Sequence, residues 1–201
     1  MKNKILILTI MSSFAFAESN IGFLNNSKQI TLNGKMIGDV SVLTPVEILK
    51  TENEKTDVLL TGYIQEYYQA KIVKSPQIDE EYMNFEIKED INSYDGDVNP
   101  YVKVVDKVED DYGEIWFKTQ IKLTVPTSYI DIDPSMIYNQ AKGLYEQTCS
   151  ACHLLHEPNQ YTANQWPSNI DSMIGLGFVA LEDLDKNMII KYLQHNAKDV
   201  K

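Results

Sequence analysis

The chain has 201 residues and a formal net charge of −11, from 29 acidic and 18 basic side chains. A surface this acidic argues against nucleic acid and anionic membrane as partners and suits a partner with a basic docking face. Glycine and proline are ordinary in number, nine and seven, so most of the chain is expected to be ordered.

Residues 1–17 read as a secretory signal peptide, cleaved after Ala17. Lys2 and Lys4 make a basic start, "ILILTIMSSFAFA" is an apolar core, and Ala15-Phe16-Ala17 is a small-x-small cleavage site. An uncleaved N-terminal anchor is the competing reading. Cleavage leaves 184 residues and removes two lysines but no acid, which takes the net charge to −13. No later apolar run reaches membrane length. The expectation is an exported, periplasmic chain without stable membrane insertion.

Residues 18–130 read as a β-rich domain, with a strand-like pattern from about residue 29. "VSVLTPVEIL", "TDVLLTGYI", "PYVKVVDKV" and "GEIWFKTQIKLTV" are β-branched and aromatic runs, parted by the turns "KTENEKT", "SYDGDVN" and "EDDYG". The segment "VLTPVEILKTENEKTDVLLTGYI" resembles bacterial SH3-like modules, and "YVKVVDKVEDDYGEIWFKTQIKLTVPTSYI" reads as a second, weaker copy. Asp95 and Asp97 lie in a solvated turn, because the glutamate that ends a calcium loop is missing.

Residues 131–201 change character. Asp133 is a candidate helix cap with Pro134 at the first helical position, followed by a stripe of Met136, Ile137, Gln140, Leu144 and Tyr145. A last helix over "LEDLDKNMIIKYLQHNA" places Leu181, Leu184, Met188, Tyr192 and Leu193 on one face, acids first and lysine later. The fold class is α+β, an SH3-like antiparallel β domain followed by a small all-α domain. About seventy residues make a thin core, which calls for a staple.

Both cysteines lie in "LYEQTCSACHLLHEPNQYTANQW". Cys149-Ser150-Ala151-Cys152-His153 is the C-x-x-C-H string of covalent haem c attachment. Two thiols two residues apart reach one porphyrin edge from a single helical turn, and the next residue, His153, lies under the ring as the proximal iron ligand. A redox dithiol would follow a strand in a βαβ unit, which this pattern lacks. A zinc site of Cys149, Cys152, His153 and His156 and a bare disulfide are the competing readings. Adjacent ligation by Cys152 and His153, and an oxidising compartment, weigh against zinc.

His156 projects to the same side as His153 and does not reach the opposite face. Met173, twenty residues after His153 and just before Gly175 and Gly177, is the candidate distal ligand. His195 and Met188 are the alternatives, although Met188 falls on the core stripe and Met136 fits helix packing. Trp166 is expected to pack near the ring or a propionate. Gly143, Tyr145 and Tyr192 match the crossing of first and last helices in monohaem cytochrome c domains. No set of acid, base and nucleophile stands out elsewhere, so the chain reads as an electron-transfer protein rather than an enzyme.

"CSACHLLHEPNQYTANQWPSNIDSM", with the ending "KYLQHNAKDV", resembles the C-terminal monohaem domain of the pentahaem cytochromes that serve periplasmic trimethylamine N-oxide reductases. The resemblance implies haem held by Cys149 and Cys152, with His153 proximal and Met173 distal. It also implies electron delivery to a molybdenum-containing N-oxide or S-oxide reductase. A single attachment motif leaves out the family's tetrahaem, quinol-oxidising part, so the expected donor is a separate quinol-linked membrane cytochrome. The alternative is a haem-based gas or redox sensor or adaptor that uses the SH3-like domain for partner binding.

Overall fold

The structure, a computed structural model, describes residues 20–86, 98–151 and 154–200. The expected leader, the Asp95 and Asp97 turn, Cys152 and His153 lie outside the described residues. Ten described strands come first: β1 (Ile21–Leu24), β2 (Lys28–Leu32), β3 (Lys35–Val40), β4 (Pro45–Glu52), β5 (Lys55–Gln65), β6 (Tyr68–Ser75), β7 (Ile78–Phe85), β8 (Lys103–Glu109), β9 (Ile115–Pro126) and β10 (Ile130–Asp131). Three helices follow: α1 (Ser135–Cys149), α2 (Trp166–Gly175) and α3 (Asp183–His195). None of the described helices is long and apolar enough to cross a membrane.

The strands form one antiparallel sheet, in the order β10-β1-β4-β5-β6-β7-β3-β2, curled into a half-barrel. β9 pairs with the other side of β5, and β8 pairs with β9. β5 is the spine. Thr56, Val58, Leu60 and Ile64 alternate inward and are buried, as a half-buried strand requires. One side of β5 pairs with β9 from Lys55↔Pro126 to Gln65↔Trp116. Its other side is shared, the first half with β4 and the end with β6. The changeover falls near Gly62, where a Cβ would stand 2.4 Å from Ile72 Cγ2 and 2.7 Å from the Val73 carbonyl oxygen. Only glycine admits that approach, and the sheet curls there.

The turn chemistry agrees with the sequence. "KTENEKT" closes the β4–β5 hairpin over Asn53 and Glu54, at φ 48° and 63°, the left-handed pair of a two-residue hairpin turn. In "EDDYG" the Asp110 carboxylate accepts from the Tyr112 and Glu114 amides and the Trp116 indole N–H at 2.9–3.0 Å.

Three expectations need correction. "VSVLTPVEIL" is not one strand: it breaks between β3 and β4, and Leu43 at φ 60° turns out of the sheet. β6 and β7 occupy a stretch where no strand was named, because acidic residues on β7 mask its period and Glu80 points inward. In α1 the buried stripe is Ile137, Ala141 and Tyr145. Met136 is 78% exposed and Gln140 is also exposed, since the inward face is set by contact with Val42 and Leu43. The helix start is as expected: Asp133 Oδ1 accepts the Ser135 amide at 2.9 Å, and Pro134 already has helical dihedrals.

The helices are fastened to β7. Val42 and Leu43 pack with Ile137, Ala141 and Met188, and Ile78 enters the cluster of Tyr145, Trp166 and Leu193. At the centre, Lys191 on α3 is 3% exposed and Glu80 on β7 is 4% exposed. The ammonium donates to Glu80 Oε1 at 3.3 Å and to the Glu81 carbonyl, and lies 4.9 Å from the Tyr82 ring centroid. Lys74 holds the other Glu80 oxygen at 2.9 Å. Burial works against the Glu80 carboxylate, but Lys191 and Lys74 outweigh it and hold its pKa below the ordinary 4.5. Asn164 exchanges bonds with β7 and the turn before it: the Asp79 amide donates to its Oδ1 and its Nδ2 donates to the Gln77 carbonyl, at 2.8 and 2.9 Å.

Removing one partner of a buried ion pair strands the other. Lys191→Met is therefore expected to cost about 3 kcal/mol in urea unfolding, with part recovered in the Glu80→Gln/Lys191→Met double variant. The Glu80 contribution is present above the ordinary value of 4.5 and is lost as pH falls through its lowered folded pKa. Glu80→Gln should therefore flatten the acid limb of a stability-against-pH curve below that value; an unchanged limb would contradict the assignment.

Candidate functional site

α1, α2 and the loops beside them line an open cavity of about 330 Å³ rather than a filled centre. Its lining is mostly apolar. α1 brings Tyr145, Thr148 and Cys149, α2 brings Trp166, Asn169, Ile170 and Met173, and the loops add His156, Tyr161, Phe178 and Val179. Cys149 and Met173, singled out separately in the sequence, thus line one space. Trp166 is there too, 2% exposed, with its ring edge-on to Tyr145 and Tyr161 at 6.3 and 4.9 Å between centroids. His195 and Met188 do not line it. His195 stacks on Tyr138 at 4.3 Å, and Met188 is buried against Val42 and Leu43.

Two side chains tie down the loop that follows the motif. Tyr145 donates its hydroxyl to the His156 carbonyl at 2.8 Å, and Trp166 Nε1 donates to the Pro158 carbonyl at 2.9 Å. Burial pushes the Tyr145 phenol up to about 12, so it stays a donor at neutral pH. Burial also raises the pKa of the Cys149 thiol, which is therefore protonated at neutral pH. His156 Nδ1 pairs with Gln160 Oε1 at 2.8 Å. Among the described residues no group of three or more His, Cys, Asp and Glu side chains is gathered to hold a metal.

The two segments that carry the family resemblance are neighbours in space. From "YTANQW", the Tyr161 carbonyl accepts the Lys198 amide at 3.1 Å, and the Ala163 amide donates to Asp199 Oδ1 at 2.8 Å. From "KYLQHNAKD", Gln194 Nε2 donates at 3.2 Å to both the Ala163 and Asp79 carbonyls. Gln194 therefore joins the cavity loop, α3 and β7. Sequence reasoning missed Gln194, Asn164, Asp199 and Asn169, since polar residues on helices and loops read as solvent-facing. Only the spacing of four between Asn169 and Met173 carried a hint.

Gly143 acts differently from expectation. A Cβ on Gly143 would meet only the Gln147 amide at 3.9 Å, so it marks no close helix crossing; the Tyr145 and Tyr192 rings, 6.3 Å apart, mark the contact between α1 and α3. A Cβ on Gly175 meets nothing within 4 Å. Gly177, at φ 74°, ends α2: its amide donates to Ile174 and the Phe178 amide to Met173, the paired bonds of a Schellman cap. That cap returns Phe178 and Val179 to the cavity. Gly177→Ala should lose about 1–2 kcal/mol through the left-handed conformation, while Gly175→Ala should gain up to ~1 kcal/mol of helix propensity. Thermal unfolding of the two variants reads this contrast, and equal shifts would remove the cap argument.

No family model matches the chain, and no solved structure matches it. Curated proteins do. The cytochrome c-type proteins TorC of Escherichia coli K12 and O157:H7 are each 26% identical over 163 residues, 81% of this chain and 39% of theirs. The cytochrome c-type protein TorY of Haemophilus influenzae Rd is 24% identical over 192 residues, covering 89% of this chain and 52% of the relative. The chain is distantly homologous to TorC and TorY cytochromes. It spans about two fifths to about half the length of these relatives.

Proposed function

We propose that this chain is an exported, periplasmic monohaem c-type cytochrome, a one-electron carrier and not an enzyme. It draws electrons from a quinol-linked membrane cytochrome and delivers them to a molybdenum-containing N-oxide or S-oxide reductase of the trimethylamine N-oxide type. In this reading residues 18–130 are an SH3-like partner-positioning domain and residues 131–201 a cytochrome c domain. The observation that carries it is the apolar, aromatic-walled cavity lined by both Cys149 and Met173, directly beside the C-x-x-C-H string.

The groups present fit a haem. The walls are aromatic and aliphatic, a thiol stands at the end of α1, and a soft thioether stands on α2. Cys149 and Cys152 would hold the group through thioether bonds, and His153 and Met173 would serve as ligands to its iron. Bound there, haem c supplies a one-electron Fe(III)/Fe(II) couple. A methionine in place of a second histidine raises the potential of that couple. Tyr145, Tyr161 and Trp166 exclude water from the cavity walls, while Phe178, 61% exposed at its rim, leaves an apolar edge for a partner. Glu146 on α1 and Glu157 on the following loop are exposed near the cavity, which suits a basic docking face on the acceptor.

Pigment in the mature protein is expected to resist acid–acetone extraction. Met173→Ala should retain covalent haem, lose the thioether–iron charge-transfer band of the oxidised form, and bind carbon monoxide rapidly when reduced. Colourless wild-type protein, or extractable pigment, would sink the proposal, and rapid carbon monoxide binding by the wild type would favour a sensor. Electron delivery to a purified N-oxide reductase should weaken in 1 M salt, where the screening length is ~3 Å; salt-independent delivery would remove charge from docking.

A further inference from the structure

Asn169 is one helical turn before Met173 on α2, and both line the cavity. Its Nδ2 is out of contact with solvent and has no hydrogen-bond partner, alone in this among the side-chain nitrogens and oxygens of the described residues. Leaving a buried amide donor unpaired is costly, and folded proteins seldom retain one without a use. Three other polar groups of the lining are engaged. The Tyr145 hydroxyl goes to the His156 carbonyl, His156 Nδ1 to Gln160, and Trp166 Nε1 to the Pro158 carbonyl. Among the described residues, no lysine or arginine is in the lining. An anionic acceptor brought into this space has a neutral N–H donor waiting and no cation.

We infer that Asn169 is a cofactor-binding residue whose Nδ2 donates a hydrogen bond to a carboxylate of the bound haem. The inference rests on the haem reading above. The two propionate carboxylates are the strong acceptors on a haem, whereas the Met173 sulfur is a weak one and accepts nothing from Asn169 here. A hydrogen bond to an ionised acceptor is stronger than one between neutral groups. By drawing charge off the carboxylate, the donor eases reduction of the iron in a protein already carrying a large negative charge.

The test is a redox titration of the haem-loaded full chain at fixed pH and ionic strength. Asn169→Leu should shift the Fe(III)/Fe(II) balance toward the oxidised form by about threefold, which is ~28 mV at 59 mV per tenfold for one electron. Asn169→Asp, which adds a negative charge, should lower the potential further, and Asn169→Gln should recover part of the loss. The thioether–iron band should stay in place throughout. If the leucine variant fails to mature, Asn169→Ala and Asn169→Ser supply the same comparison, serine keeping a donor. Potentials unchanged in the leucine and aspartate variants overturn the inference, as does a fall accompanied by a displaced thioether band, which would put the donor on the Met173 sulfur. Wild-type protein without covalent haem refutes the haem reading itself, a separate result.

Discussion

The buried contact between the Lys191 ammonium and the Glu80 carboxylate is the interaction on which the arrangement of the helices depends. α3 turns Lys191 and Gln194 toward β7 and turns Ile189 and Leu193 toward the other helices. A charge so deeply buried is stranded at high cost if its partner moves away, which favours the rotation of α3 that keeps Lys191 on Glu80. α1 and α2 pack on α3, so the walls of the cavity inherit their positions from an ion pair on the far side of the helix. Glu80 can serve because Lys74 neutralises its second oxygen.

This arrangement answers the shortage of core in the last seventy residues. The helices do not close on one another; they leave open space lined by Tyr145, Trp166 and Met173. Two contributors make up the deficit. One is the half-barrel, whose Val42, Leu43 and Ile78 pack into the helical clusters. The other, in the function proposed here, is the cofactor. The β domain is then part of the scaffold that holds the site open as well as a surface for partners.

The hydrogen bonds around the cavity follow the same logic. Carbonyls at 156, 158, 161 and 163 lie on a loop with little regular structure, and each accepts from a residue on a helix or near the chain end. Backbone acceptors left unpaired would let that loop move. The polar residues that bind them, Tyr145, Trp166 and Gln194, therefore fix this loop, which carries His156 and Tyr161 of the cavity lining, through geometry that no single element contains.

Much of the site was legible locally. Cys149, a methionine twenty residues after the C-x-x-C-H string, and a capped helix before the motif all come from short-range patterns, decided by the chemistry of adjacent residues, and Cys149 and Met173 share the cavity lining. The order of β domain and helices was equally visible, because strand and helix periodicities differ. The face of α1, the inward Glu80, the buried Lys191 and the orphaned Asn169 amide could not be read this way. Charged and amide side chains are solvated by default in any local pattern, and only the packing of β7 against α3, and of α2 around an open space, removed water from them. The sequence determined which groups are available to hold a cofactor; the tertiary structure decided which share a cavity and which polar groups are buried around it, since burial belongs to residues far apart in the chain.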